Sequence, residues 1–266
     1  MRHPKSPRTY LHLQLASALV LAVFSGCGMA AQNQNVQGTR LFQQGNYSGA
    51  IQKYQQAIST NPKNPDGYYN SAAIAHMMGM QSRDPNKLAQ AEQLYNQCLN
   101  YDPNHVDAHR GLAVLLTDTS RSAEAFTLLK NWTITSPTSS DARVELARLY
   151  EEFGDARNAE ANLIQALQMD IRNARAHAAL GRIKEQTGDI QQAIVNYQRA
   201  YSLNPNQPQI AQRLMALSGQ SQNLGNPAGG YNAGGLASIF GGGNNNNFSL
   251  PPSNQSATRP KADLRY

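Results

Sequence analysis

Apolar positions are spaced in three different ways along the 266 residues. Near the start, Leu15–Phe24 is an apolar run broken by one serine, preceded by Arg2, Lys5 and Arg8 and no acid. In the long middle, small and large residues return at fixed intervals. Aligned on Ala50, Ala91, Ala125, Ala159 and Ala193, the chain has Tyr54, Tyr95, Leu129, Leu163 and Tyr197 four residues later. Seven later stand Ala57, Cys98, Trp132, Ala166 and Ala200, and twelve later Pro62, Pro103, Pro137, Ile171 and Pro205. Twelve before the anchors are Gly38, Ala113, Ala147 and Gly181, with Ala72 in that part, at a greater distance, for the second unit. Spacings of four and seven place side chains on one face of a helix. From Ser218 the periodicity stops, and Gly, Asn and Ser take over.

The period of 34 residues and the small, large, small and proline positions resemble the tetratricopeptide repeat (TPR). The resemblance covers 31–64, 65–105, 106–139, 140–173 and 174–207. It implies an all-α, right-handed superhelical solenoid of five repeats, each a pair of antiparallel helices. The small residue of the first helix and the alanine of the second face one another, and the large residue four positions on fills the space beside them. Gly45-Asn46, Gly154-Asp155 and Gly188-Asp189 are expected at the turns between the helices, where a residue tolerant of positive φ ends the first one. The prolines are expected to open the following helix, where a missing N–H costs nothing. Ala108, Ala142 and Ala176 let each repeat sit against the one before. No repeat can bury its apolar face alone, so the stack supplies the core. Ile210, Leu214 and Leu217 share a helical face and predict a capping helix over 208–217, followed by a disordered tail over 218–266. In that tail Leu236–Phe240 is an apolar island, either a docking motif or a patch in a spacer.

Three departures change the expectation locally. The second repeat carries about seven extra residues around Gln81–Lys87, which predicts a protruding loop between its helices. Trp132 stands where the family has a small residue, either filling an opening between repeats 3 and 4 or exposed as an anchor for a partner. The polar first helix of repeat 1 (Gln34, Gln37) predicts a frayed end.

The N-terminal segment reads as an export signal, since its apolar run falls short of the roughly 20 residues of a membrane span. Phe24-Ser25-Gly26-Cys27 resembles a bacterial lipobox, although Phe24 departs from the usual leucine. That resemblance makes 1–26 a signal peptide, Cys27 the lipidated mature N-terminus and 27–30 a tether. Several acyl chains would hold such a protein stably at a membrane. Gly28, in place of Asp, favours the outer membrane, facing the periplasm. Cleavage near Gly28-Met29-Ala30, leaving a soluble exported protein, is the alternative.

Charge adds little to the middle. The whole chain carries 23 basic and 17 acidic residues, a formal charge of +6. Three of the basic residues precede Cys27, and Arg259, Lys261 and Arg265 against Asp263 follow Leu217. That leaves 17 basic and 16 acidic residues between, so no clustered basic face for nucleic acid is expected. There is no phosphate-binding glycine loop, no HExxH and no GxSxG. His105 and His109 are too few for a metal site and are assigned to packing. Glu151 and Glu152 are neighbours on a helix and point apart. Cys98, at a small core position, is expected to be inert. The chain is therefore read as a non-catalytic scaffold for other polypeptides of the bacterial envelope, without cofactor, metal or small-molecule substrate. The alternatives are an adaptor of a cell-wall enzyme and, further off, an accessory domain of an enzyme. The family resemblance places ligand contacts at the second, fifth, ninth and twelfth positions of each repeat. Among these, Tyr69, His76, Arg110, Arg148 and Arg182 are the candidate groove residues, with the arginines suited to an acidic or aromatic peptide. The competing reading pairs Arg148 with Glu151 and Arg182 with Glu185 on their own helices. The Lys/Asn clamp of chaperone-binding relatives is absent, with Asn35 and Thr39 in its place.

Overall fold

The computed structural model describes residues 28–223, and all regular structure among them is helical. Helix α1 covers residues 28–43. After it come α2 (Tyr47–Thr60), α3 (Pro65–Ser82), α4 (Pro85–Tyr101), α5 (Val106–Asp118) and α6 (Ser122–Thr135). Then follow α7 (Ser140–Glu152), α8 (Ala156–Met169), α9 (Ala174–Gln186), α10 (Ile190–Leu203) and α11 (Pro208–Asn223). Leu41 and Phe42 of α1 pack on Ala50 and Tyr54 of α2, and each later odd-numbered helix through α9 packs on the one after it. Five hairpins result among the described residues, with α11 beside α10. The expected signal segment, Cys27 and the tail beyond Asn223, Leu236–Phe240 included, lie outside the described residues.

The periodic positions form the core. All five anchor alanines are buried, as are the five large residues after them and the five residues three positions further on. Size is matched inside the hairpins of repeats 1, 3, 4 and 5, whereas in repeat 2 Ala72 goes with Tyr95, whose ring lies against Gly111 of the next repeat. A methyl group on Gly38 would come within 2.4 Å of the Tyr54 ring, and one on Gly181 within 2.8 Å of the Tyr197 ring. Where the first helix has alanine instead, at Ala113 and Ala147, the partner is the smaller Leu129 or Leu163. Gly45, Gly154 and Gly188 take φ of 76°, 78° and 83° at the turns, as expected, and Ser120 takes the same role at 63°. Ala108, Ala142 and Ala176 are fully buried.

The prolines do not open helices. Pro62, Pro103 and Pro137 each lie three residues before one, at the second position of a turn closed by Asn64 to Asn61, His105 to Asp102 and Ser139 to Ser136. The fixed proline φ suits that place. The exposed carbonyls there are then used: the Tyr68 hydroxyl donates to that of Pro62 at 3.0 Å, and the His109 and His177 Nε2 atoms bond those of Pro103 and Ile171 at 3.0 Å. Pro65, Pro85 and Pro208 are the residues that begin helices.

Repeat 2 has no protruding loop. Its first helix has 18 residues against 13 in repeats 3–5, its second has 17 against 14, and the connection shrinks from three residues to Arg83 and Asp84. Five and three residues gained, with one lost, account for the seven. Each extension lies at the hairpin end of its helix, so the apolar faces of the remaining turns keep their phase. Helix α1 is regular over residues 28–43, and Ala31 is fully buried. The capping helix runs to Asn223, six residues past the expected end, and Leu214 and Leu217 pack against Ala193 and Tyr197.

Trp132 is 2 % exposed, which excludes an exposed anchor. Its indole stacks on His109 of its own repeat, with centroids 3.9 Å apart and planes 9° apart, and its Nε1–H donates to Asn104 Oδ1 at 3.0 Å. The indole is thus held by His109 of repeat 3 and Asn104 at the end of repeat 2, in one core cluster with Ala142 and Leu146 of repeat 4.

Candidate partner-binding groove

Successive first helices touch one another, α3 on α5, α5 on α7 and α7 on α9, and their side chains form one wall. The second, fifth, ninth and twelfth positions of the repeats bring Tyr69, His76, Arg110, Arg148 and Arg182 onto these helices. The three arginines are not spread as free cations. Arg110 reaches Glu145, one repeat on, through Nε at 3.1 Å and Nη2 at 2.7 Å, and Asp107 through Nη1 at 3.0 Å. Arg148 bonds Glu145 at 3.3 Å and Glu152 at 3.2 Å. Arg175 joins the same Glu145 and also Asp141. Arg182 makes a two-pronged pair with Glu151 of the preceding repeat, at 2.7 and 2.8 Å. The expected partners within one helix, Glu151 for Arg148 and Glu185 for Arg182, are used elsewhere: Glu185 accepts from Tyr197 and Arg213. Glu151 and Glu152 do point apart, to Arg182 and Arg148.

Glu145 is the residue that sequence reasoning passed over. It is 0 % exposed, sits one position past Val144, and holds guanidinium groups from repeats 3, 4 and 5. A buried carboxylate is costly unless paired and hydrogen-bonded, and here three cations do both. Burial, and the nearby Arg110, push the Arg148 and Arg175 guanidiniums down from their ordinary value, whereas the bonds to Glu151 push Arg182 up. The signal available in the sequence was an acid in the middle of a first helix with arginines 35 residues before and 30 after.

The other candidates have different settings. His76 is 1 % exposed, edge-on to Tyr95 at 6.3 Å, with Nε2 3.4 Å from the Asp118 carboxylate. It supports the wall from beneath and offers no surface of its own. Tyr69 lies against Tyr95 and His105, with centroids 6.2 and 5.1 Å away. His105 caps α5, its Nδ1 accepting from the Ala108 N–H at 3.1 Å, and His109 carries Trp132. No group of metal-binding side chains occurs among the described residues. Burial pushes the Cys98 thiol up to about 12. A depression of about 480 Å³ opens over repeats 1–3, lined by Asn35, Arg40, Asp66, Tyr69, Asn70 and Asp107 among others.

A row of helical hairpins with a polar inner wall of paired charges is the form of a scaffold that holds polypeptides. The sequence comparisons agree. The tetratricopeptide repeat matches residues 83–140 and 144–208, and the TPR repeat matches residues 38–79. The chain belongs to the tetratricopeptide repeat family, whose fold typically serves as a non-catalytic protein–protein interaction scaffold. It is 30% identical over 173 residues to cellulose synthase operon protein C of Pseudomonas fluorescens (strain SBW25). That match covers 62% of this chain and only 13% of the relative. A thermophilic TPR protein of Thermus thermophilus has the same fold, with a TM-score of 0.54 and 20% identity over 71% of this chain and 98% of the other. No described helix is long and apolar enough to cross a membrane.

Proposed function

We propose that this chain is an exported scaffold, anchored to the outer membrane through lipid on Cys27, which holds a segment of an envelope protein along the wall of its first helices. The observation that supports the groove is the run of first helices touching one another from α3 to α9, lined by polar side chains. The support for the anchor is Phe24-Ser25-Gly26-Cys27 after a basic and apolar leader. A second reading, an adaptor of an envelope enzyme, is favoured by the likeness to a protein named for a cellulose synthase operon. In both readings the chain binds polypeptide and performs no chemistry itself.

The test uses the full chain in intact cells, with a photo-cross-linking residue placed either at Gln43 and Val114 of the first helices or at Ile164 and Val195 of the second helices. One shared adduct at the first-helix positions, absent from the others, supports the groove. An adduct confined to Ile164 or Val195 overturns it. Metabolic labelling with palmitate, lost in Cys27→Ser, is expected for the anchor. Unchanged labelling in that variant removes it.

A further inference from the structure

The second positions of repeats 2, 3 and 4 are all aspartates: Asp66, Asp107 and Asp141. Asp107 is held by Arg110 at 3.0 Å and Asp141 by Arg175 at 3.2 Å. Those guanidinium groups come from two places, the fifth position of the same repeat and the second position of the next. For Asp66 the same two places are occupied by Tyr69 and Asp107. Its carboxylate therefore faces the ring of His105 at 3.8 Å, where its counterparts have a guanidinium group. Asp66, Tyr69, His105 and Asp107 all line the depression over repeats 1–3.

A second observation on the same depression points to a ligand. Asn35 of α1 lines it, is only 4 % exposed, and has neither Nδ2 nor Oδ1 hydrogen-bonded. Two buried amide atoms without partners are a substantial cost, which a bound polar chain can relieve once the side chain turns toward it. Arg40, also on α1, is the cation among the lining residues, so the carboxylates of α3 and α5 form the acidic side. Further along, Arg110, Arg148 and Arg182 are each already bonded to a carboxylate, which leaves an acidic ligand little to gain there.

Resting on the reading of this wall as a polypeptide site, we propose that the depression takes a lysine or arginine side chain from an extended segment of the partner. The cation takes the place of the missing guanidinium beside Asp66, with Asp107 on its other side and the Tyr69 ring as an apolar, electron-rich face. Asn35 turns its amide to the partner's main chain. The ligand thereby extends the aspartate–cation series of repeats 3 and 4 into repeat 2.

The experiment is selection of random dodecapeptides displayed on phage, against the purified full chain and against Asp66→Asn/Asp107→Asn. Circular dichroism checks that the variant keeps its helices and melting temperature. The expected result is enrichment of Lys or Arg at one fixed place in the peptides taken by the native chain and loss of that enrichment in the variant. For a selected peptide, Lys→Gln in the peptide and Asp66→Asn in the protein should each weaken binding about fivefold, and together no further. Enrichment of Asp or Glu by the native chain, or basic enrichment that survives in the variant, overturns the proposal. If the native chain selects peptides with no charge preference, the groove stands and this proposal falls. If it selects no peptide at all, the groove reading falls and takes the proposal with it.

Discussion

Replacing Gly181 by alanine sets two opposed effects against each other, and the structure decides between them. In an isolated helix the change stabilises, by about 0.5–1 kcal/mol, because glycine loses more backbone freedom on folding. Here the added methyl would lie 2.8 Å from Tyr197 Cδ1, 2.9 Å from Cε1 and 3.1 Å from Cγ. Cγ and Cδ1 are at the root of the ring, so the side chain cannot simply swing its far end away. It is also fixed by its hydroxyl, which donates to Glu185 at 2.9 Å. Overpacking of this kind costs about 1–3 kcal/mol. The net expectation is a loss of about 1–2 kcal/mol. Repeats 3 and 4 serve as a control, since with alanine at this place, Ala113 and Ala147, they carry Leu129 and Leu163, while the Tyr95 that accompanies Ala72 in the longer repeat 2 packs on Gly111 of the next repeat. Tyr197→Leu alone should cost about 2 kcal/mol through lost ring contacts and the lost hydroxyl bond. Combined with Gly181→Ala, it should cost at least about 1 kcal/mol less than the sum of the two, because the clash no longer exists. Urea unfolding of the four proteins, followed by circular dichroism, measures this cycle. Additivity within about 0.5 kcal/mol would refute the size-matching argument.

Two further outcomes follow from the described side chains. Glu145→Ala leaves three guanidinium groups without their shared carboxylate; as they are partly exposed, the loss should be about 2–3 kcal/mol, below that of a fully buried pair. A melting temperature within about 2 °C of the native one would show that the cluster contributes nothing. Cys98, its thiol raised from 9.0 to about 12 by burial and then by Asp102, should in a Cys27→Ser background resist thiol reagents until the chain is unfolded. Since the unfolded thiol loses its proton first, the native state keeps this contribution below about pH 9 and loses it progressively up to about pH 12. Rapid labelling of the native protein at pH 8 would contradict the burial.

The fold was legible wherever one helix face carried the information. The anchor alanines, most of the aromatic or leucine fillers and the turn glycines act within a single hairpin, although Tyr95 closes on Gly111 of the next repeat. Repeat 2 shows the limit of such reading. The seven extra residues lie between the two apolar stripes and not within either, so periodicity alone cannot separate a loop from two longer helices. The extension of α11 past Leu217 is similar, because polar residues lengthen a helix without adding to its apolar stripe. The prolines were assigned to the wrong residue of the inter-repeat connection, and their turn geometry becomes evident only with the hydrogen bonds of Tyr68, His109 and His177. In the groove, the arginine positions were legible but their partners were not. Rules for neighbours three or four apart pair each arginine within its own helix, whereas Glu145 and Glu151 draw in guanidinium groups 30 to 35 residues distant.

Glu145 also bears on how the stack comes apart. A solenoid whose repeats touch only their neighbours can peel from an end, one unit after another, each step costing little more than its own interface. A single buried carboxylate that holds Arg110, Arg148 and Arg175 joins repeats 3, 4 and 5 at one atom pair. Opening repeat 5 alone would take Arg175 away and wet a charge that the other two cations must then support. The middle and last repeats therefore gain by opening together, as one cooperative unit, while repeat 2 is tied to repeat 3 by a more exposed shared cation, Arg121, which bonds both Glu92 and Glu124.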